Sequence, residues 1–106
     1  MTHTLWTEEE EKIAHQAFDT AYKREINTLI EHVRQTTTNL SKLDDVWNLH
    51  DYLSVKRHEI DGKYDYRYHV LLFVFAQLLQ EGWLHFHELQ GLDPDKLAKL
   101  KALSQI

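Results

Sequence analysis

Cysteine is absent from the chain, which removes disulfide frameworks, zinc ribbons and thiol nucleophiles together and fits a reducing compartment. Proline occurs once and glycine three times, too few turn formers for a sandwich or barrel of short strands. The longest apolar run, Val70 to Ala76, falls far short of the roughly 20 residues that cross a bilayer. Basic residues are outnumbered, 12 against 17 acidic, for a net charge of -5. Without clustered lysine and arginine the chain lacks what binds a phosphate backbone, so nucleic acid is not the expected partner. Met1 to Trp6 leads straight into the acidic run Glu8 to Glu11, where a secretory leader needs basic and then apolar residues. A cytoplasmic location is expected.

What is present is enough for a core. Of 106 residues 42% are hydrophobic, with three Trp, five Tyr and four Phe. That length and composition suit one folded domain, residues 1–106. Eight histidines make the charge responsive between about pH 5 and 8.

Helical spacing dominates. Thr7 with Glu10 reads as a capping box, after which Ala14, Ala17, Phe18, Ala21, Ile26, Leu29, Ile30 and Val33 recur every three or four residues, predicting a first helix over Thr7 to Gln35. Thr36 to Asn39 reads as a linker of side chains that bond to their own backbone. A second helix is expected from near Ser41, with Leu43, Val46, Trp47, Leu49, Leu53 and Ile60, and Gly62 as its C-terminal cap. A third, Asp65 to Glu81, is apolar nearly all round and predicts a buried centre ended by Gly82. Trp83 to Leu89 reads as a short helical turn closed by Gly91. A last helix follows, with Asp93 as N-cap, Pro94 at its first position and Leu97, Leu100 and Leu103 on one side. The fold class is all-α: two long helices, a buried third and short C-terminal helices.

A first helix of about 29 residues is about 43 Å long at 1.5 Å per residue, whereas a compact domain of this size has a radius of gyration of about 13 Å. Its apolar stripe continues to Ile30 and Val33, beyond what the same chain can cover. A second copy is the simplest cover, predicting a homodimer with Ile30, Val33, Val46 and Leu49 at the interface; the alternative is a helix that bends and folds back.

At about 100° per residue, Trp47, His50, Asp51, Ser54, Arg57, His58 and Asp61 share one broad stripe of the second helix, beside an apolar stripe of Val46, Leu49, Leu53 and Ile60. The apolar stripe suffices to dock the helix. The other is free to bind, and Trp and Arg are the residue types that dominate binding hot spots. The alternative is an ordinary solvated face with weak ion pairs.

Catalytic chemistry finds little support. No serine elbow, Gly-rich phosphate loop or H-E-x-x-H pattern is present, and His50, Asp51 and Ser54 on one helix do not converge as a triad. His85 and His87, two apart, fall on different sides of any helix, against a metal pair. Neither enzyme activity nor a cofactor is expected.

The run Asp44-Asp45-Val46-Trp47-Asn48-Leu49-His50-Asp51-Tyr52-Leu53-Ser54, continuing through Lys56 to Asp65, together with Leu72 to Gly82, resembles the signature segments of the fluorescence recovery protein family, and weaker similarity runs through both ends. Tyr52 and Val55 depart mildly from the family pattern. The resemblance implies a helical homodimer without a chromophore whose partner is the orange carotenoid protein, a light sensor that quenches the phycobilisome. Members of the family accelerate the sensor's return to its resting form and detach it from the antenna, which puts the protein in the cytoplasm or at the thylakoid periphery. By residue match the resemblance assigns partner binding to Trp47, His50, Asp51 and Arg57, with Phe73 and Lys99 as weaker candidates. A related dimeric helical adaptor with another client is the alternative.

Overall fold

The computed structural model describes residues 5–105. Among them the chain forms α1 (Glu8–Thr37), α2 (Leu43–Lys63), α3 (Leu71–Glu81) and α4 (Pro94–Ser104), with a 3-10 turn at Phe86–Leu89 and no strand.

The capping box opens α1 as its spacing predicts: Thr7 Oγ1 accepts the Glu10 N–H at 3.1 Å and Glu10 Oε1 accepts the Thr7 N–H at 3.0 Å. Four glutamates stand in that first turn, at the positive end of the helix dipole. The far end runs two residues beyond the expected Gln35. The hydroxyls of Thr36, Thr37 and Thr38 donate to the carbonyls of His32, Arg34 and Gln35 at 2.8, 2.8 and 2.7 Å. The threonines therefore finish the helix by satisfying its last carbonyls, and the linker is shorter than the sequence suggests.

At the start of α2 the Asp45 carboxylate accepts the backbone N–H groups of Ser41 and Lys42, each at 3.1 Å, so the helix begins at Leu43 rather than near Ser41. Gly62 is not its cap. The helix continues to Lys63, and Tyr64 N–H bonds to the Ile60 carbonyl at 3.2 Å, because the Lys63 and Tyr64 side chains are both anchored in the body of the protein.

The third helix also begins later than predicted, at Leu71 instead of Asp65. Residues 64–67 have no regular structure: Tyr64, at φ -86° and ψ 78°, turns the chain, and the Asp65 N–H bonds to the Lys63 carbonyl at 3.0 Å. Tyr64 and Tyr66 pack edge-on against α1, Tyr64 against Tyr22 and Phe18 (5.0 and 5.4 Å between ring centroids) and Tyr66 against Phe18 (4.9 Å), while Tyr68 lies tilted against Trp6 just before the helix (5.4 Å). Asp65 and Arg67 pair with each other at 2.7 Å. Gly82 ends α3 at φ 82°, and Gly91, at φ 104°, lies where a Cβ would come within 2.5 Å of Ile13 Cδ1. Asp93 Oδ1 accepts the Asp95 N–H at 2.8 Å and opens α4 at Pro94.

The core gathers Ala14, Ala17 and Ala21 of α1, Leu71, Val74, Phe75 and Leu78 of α3, then Leu84, Leu89, Leu92 and Leu100. The 3-10 turn comes close to α1, and α3 and α4 pack closely on each other. Two ion pairs seal this head. Lys96 Nζ lies 2.8 Å from Glu10 and over the Trp6 ring, and Arg24 holds Glu88 by two bonds of 2.7 Å. The second half of α1 and nearly all of α2 project from the head as an antiparallel arm, in which His32 meets Tyr52 at 5.0 Å between rings. The molecule measures 56 × 27 × 25 Å with a radius of gyration of 17.0 Å. The first helix therefore overhangs, and it does not fold back.

Candidate partner-binding surface

One side of α2 faces the chain itself: Asp45, Leu49, Tyr52, Lys56, Ile60 and Lys63 recur at helical spacing toward α1, and of these only Ile60 is buried. The opposite side is left to solvent. Trp47 is 55% exposed there, with Leu43, His50, Asp51, Ser54, Val55, His58 and Asp61 beside it. The Trp47 and His50 rings meet edge to face at 6.3 Å, and His50 Nδ1 lies 3.2 Å from Asp51 Oδ1. Arg57 stands at the edge of this face, its Nε 3.7 Å from Asp61 Oδ2 with both side chains exposed. Such a pair contributes little to folding and is easily exchanged for another carboxylate. Near Trp47 the helix start is held by Asp45, whose carboxyl is kept below the usual range by the Ser41 and Lys42 backbone N–H groups.

An indole surrounded by weakly paired polar groups, none of them needed for the core, is suited to gripping a protein. The structure thus brings together Trp47, His50 and Asp51, and sets Arg57 about three turns further along α2 at the edge of the same exposed side. It does not bring Phe73 or Lys99 to them. Phe73, 63% exposed on α3, and Lys99, exposed on α4, belong to the head. Phe73 lies in the first turn of α3, whereas Trp47 lies near the start of α2, beside the far end of α1. Spacing singled out Trp47 but passed over Leu43 and Val55, both well exposed on the same face; the same helical phase places each within about 80° of Trp47.

Of the residues expected at a dimer interface, Ile30 and Val46 are 48% and 43% exposed, and Val33 is half-buried. Leu49 turns inward, lining a crevice of about 390 Å³ between the ends of α1 and α2 with His32, Leu40 and Tyr52. His85 and His87 are not on different sides as expected. His85 is extended ahead of the 3-10 turn, which lays the two rings parallel with centroids 5.7 Å apart. Among the described residues no three His, Asp or Glu side chains form a metal-holding group, and no helix is long and apolar enough to cross a membrane.

The model of the photoprotection regulator fluorescence recovery protein family matches residues 6–104. The chain belongs to the fluorescence recovery protein family. It is 48% identical over 101 residues to the fluorescence recovery protein of Synechocystis sp. PCC 6803, covering 95% of this chain and 93% of that one. The solved structure of the Fremyella diplosiphon fluorescence recovery protein superposes with a TM-score of 0.93 at 56% identity, over 96% of this chain and all of that one. The Synechocystis structure gives the same TM-score and coverage at 48% identity. The family resemblance read from the α2 and α3 segments is thus established over nearly the whole chain, and the family is one of photoprotection regulators.

Proposed function

We propose that the protein binds the photoactivated orange carotenoid protein in the cytoplasm, accelerates its return to the resting form and so detaches it from the phycobilisome, ending the quenching of antenna fluorescence. The observation that carries this reading is the outward face of α2, where Trp47, His50, Asp51 and Arg57 are displayed on a helix whose own packing uses none of them. Family membership supplies the partner.

No covalent bond need change. A protein that speeds another's relaxation binds the barrier state, or an intermediate beside it, more tightly than the starting state, and each 1.4 kcal/mol of difference is about tenfold in rate. Trp47 and Arg57 supply contact energy, while His50 and Asp51 shape the patch. Phe73 and Lys99 form a second contact on the head. A surface divided between arm and head can hold two parts of a partner near each other, which raises their effective concentration. The protein acts as a homodimer, for which the support is the overhanging α1 with Ile30 and the half-exposed Val46.

The test is to mix the purified protein with photoactivated orange carotenoid protein and follow its return in the dark. The return rate rises with added protein and saturates. An unchanged rate across the titration points instead to a helical adaptor with another client.

A further inference from the structure

The arm and the head are joined by charge. Along α2 only Ile60 is buried, and between α1, α2 and Trp83 a cavity of about 160 Å³ stays unfilled beside Leu29, Tyr52 and Lys56. Within one chain, apolar packing therefore does little to fix the direction in which α2 leaves the head. At its last residue the situation changes. Lys63 Nζ lies 2.7 Å from Glu25 of α1 and 2.7 Å from Glu81 of α3, and the Tyr64 hydroxyl donates to Glu25 at 2.7 Å. Gln77 steadies Glu81 at 2.9 Å. The Lys63 and Glu25 side chains are only 8% and 6% exposed.

We propose that this Glu25–Lys63–Tyr64–Glu81 junction is a positioning cluster for partner recognition: it sets the angle between the Trp47 face of α2 and the Phe73 and Lys99 surface of the head. The proposal rests on the functional reading above, in which the partner is held at both places. Short charge-assisted hydrogen bonds are directional where dispersion is not, and a rotation of α2 about its last turn breaks at least two of them. Buried ion pairs are weak evidence for stability and are better attested as devices that fix registry. The Glu10–Lys96 pair makes the contrast. It is as buried as the junction and as short, 2.8 Å, but it ties α1 to α4 wholly within the head.

That contrast supplies the experiment. Lys63→Met and Lys96→Met each leave a buried carboxylate without its cation, so each lowers the melting temperature. In the dark-return assay, well below both melting points, Lys63→Met raises the half-saturating concentration about tenfold, as expected for losing one or two charge-assisted bonds that orient the site. Lys96→Met leaves it within about twofold. A second readout needs no partner. With no native cysteine to interfere, spin labels at Val55→Cys on α2 and Lys101→Cys on α4, in chains diluted with unlabelled protein, report the arm-to-head distance. The distribution is narrow in the parent and with Lys96→Met, and broad with Lys63→Met. Should Lys63→Met fail to fold, Tyr64→Phe, which deletes a single bond of the junction, broadens the distribution in the same way.

An unchanged distribution in a folded junction variant overturns the proposal, as does an equal loss of activity in Lys63→Met and Lys96→Met. If the unmodified protein does not accelerate the return at all, the functional reading fails on its own, and the distance measurement still decides whether the junction sets the angle.

Discussion

In the head, α3 and α4 pack closely on each other and the 3-10 turn closes onto α1, which buries Phe75, Leu71, Leu78, Leu84, Leu89 and Leu100 completely. In the arm, two helices of comparable length bury one residue of α2 between them and leave Ile30, Leu43, Val46, Trp47 and Val55 in water. The head holds most of the apolar side chains and buries many of them, whereas the arm holds fewer and leaves most of them exposed. A close-packed head stabilises the chain, whereas an arm whose apolar groups remain exposed is free to spend them on association. The long, overhanging α1 is what makes this division physical, because it belongs to both.

The largest expected effect lies in the head. Phe75→Ala removes a fully buried ring and lowers unfolding free energy by about 3–5 kcal/mol. Val55→Ala in the arm changes it by less than about 0.5 kcal/mol. Chemical denaturation of the two variants beside the parent measures the difference, and equal losses would erase the distinction between the regions.

Acid acts on the head next. Burial alone raises the Glu10 pKa, but the Lys96 ammonium and the Thr7 and Asp93 N–H groups outweigh it and hold the carboxyl down at about 2. Arg24 is the main reason that Glu88 is also held at about 2. Both folded values lie below the ordinary 4.5 of glutamate. Their stabilisation is therefore complete above about pH 4.5 and is lost as pH falls toward 2. Melting temperature followed across that window declines, and it declines less steeply in Glu88→Gln, which has no carboxyl to protonate.

These pairs mark where sequence reading stops. Capping boxes, apolar spacing, Gly82 and Asp93-Pro94 are local signals, and they placed four helices and the 3-10 turn. Glu10 and Lys96 are 86 residues apart, and each resembles any solvated charge until the fold brings them together. The late start of α3 has a different cause. Tyr64, Tyr66 and Tyr68 alternate with polar residues instead of following helical spacing, but the apolar run that follows hides the change. At the candidate site, spacing was enough to find the Trp47 stripe because α2 is a regular helix and only one of its faces packs. The distance of Phe73 and Lys99 from that stripe depends on how α2 meets the head, which no local pattern encodes.

Association sharpens the comparison from the side of the arm. Ile30→Glu and Val46→Glu place a charge on half-exposed positions, so each chain keeps its helix content and melts within about 1 kcal/mol of the parent. Burying that charge against a second copy is costly, so both variants are monomers by light scattering at micromolar concentration. A monomeric parent under the same conditions would remove the arm from any role in self-association.

Little effect on folding is expected at Arg57, where the effect on function is largest. Its guanidinium is exposed and sits 3.7 Å from Asp61, a pair that contributes at most about 1 kcal/mol. Arg57→Leu therefore melts with the parent and keeps its oligomeric state. If the outward face of α2 grips the partner, the same substitution weakens binding or acceleration by at least about 2 kcal/mol, the size of a hot spot, or about thirtyfold in the half-saturating concentration. Trp47→Leu is the less clean probe, because its indole also packs edge-on against His50 and its loss can soften the helix start. A folded Arg57→Leu protein that still drives the dark return at the full rate and the parental concentration would reduce this face to a solvated side of a helix, leaving Phe73 and Lys99 on the head as the surface to test.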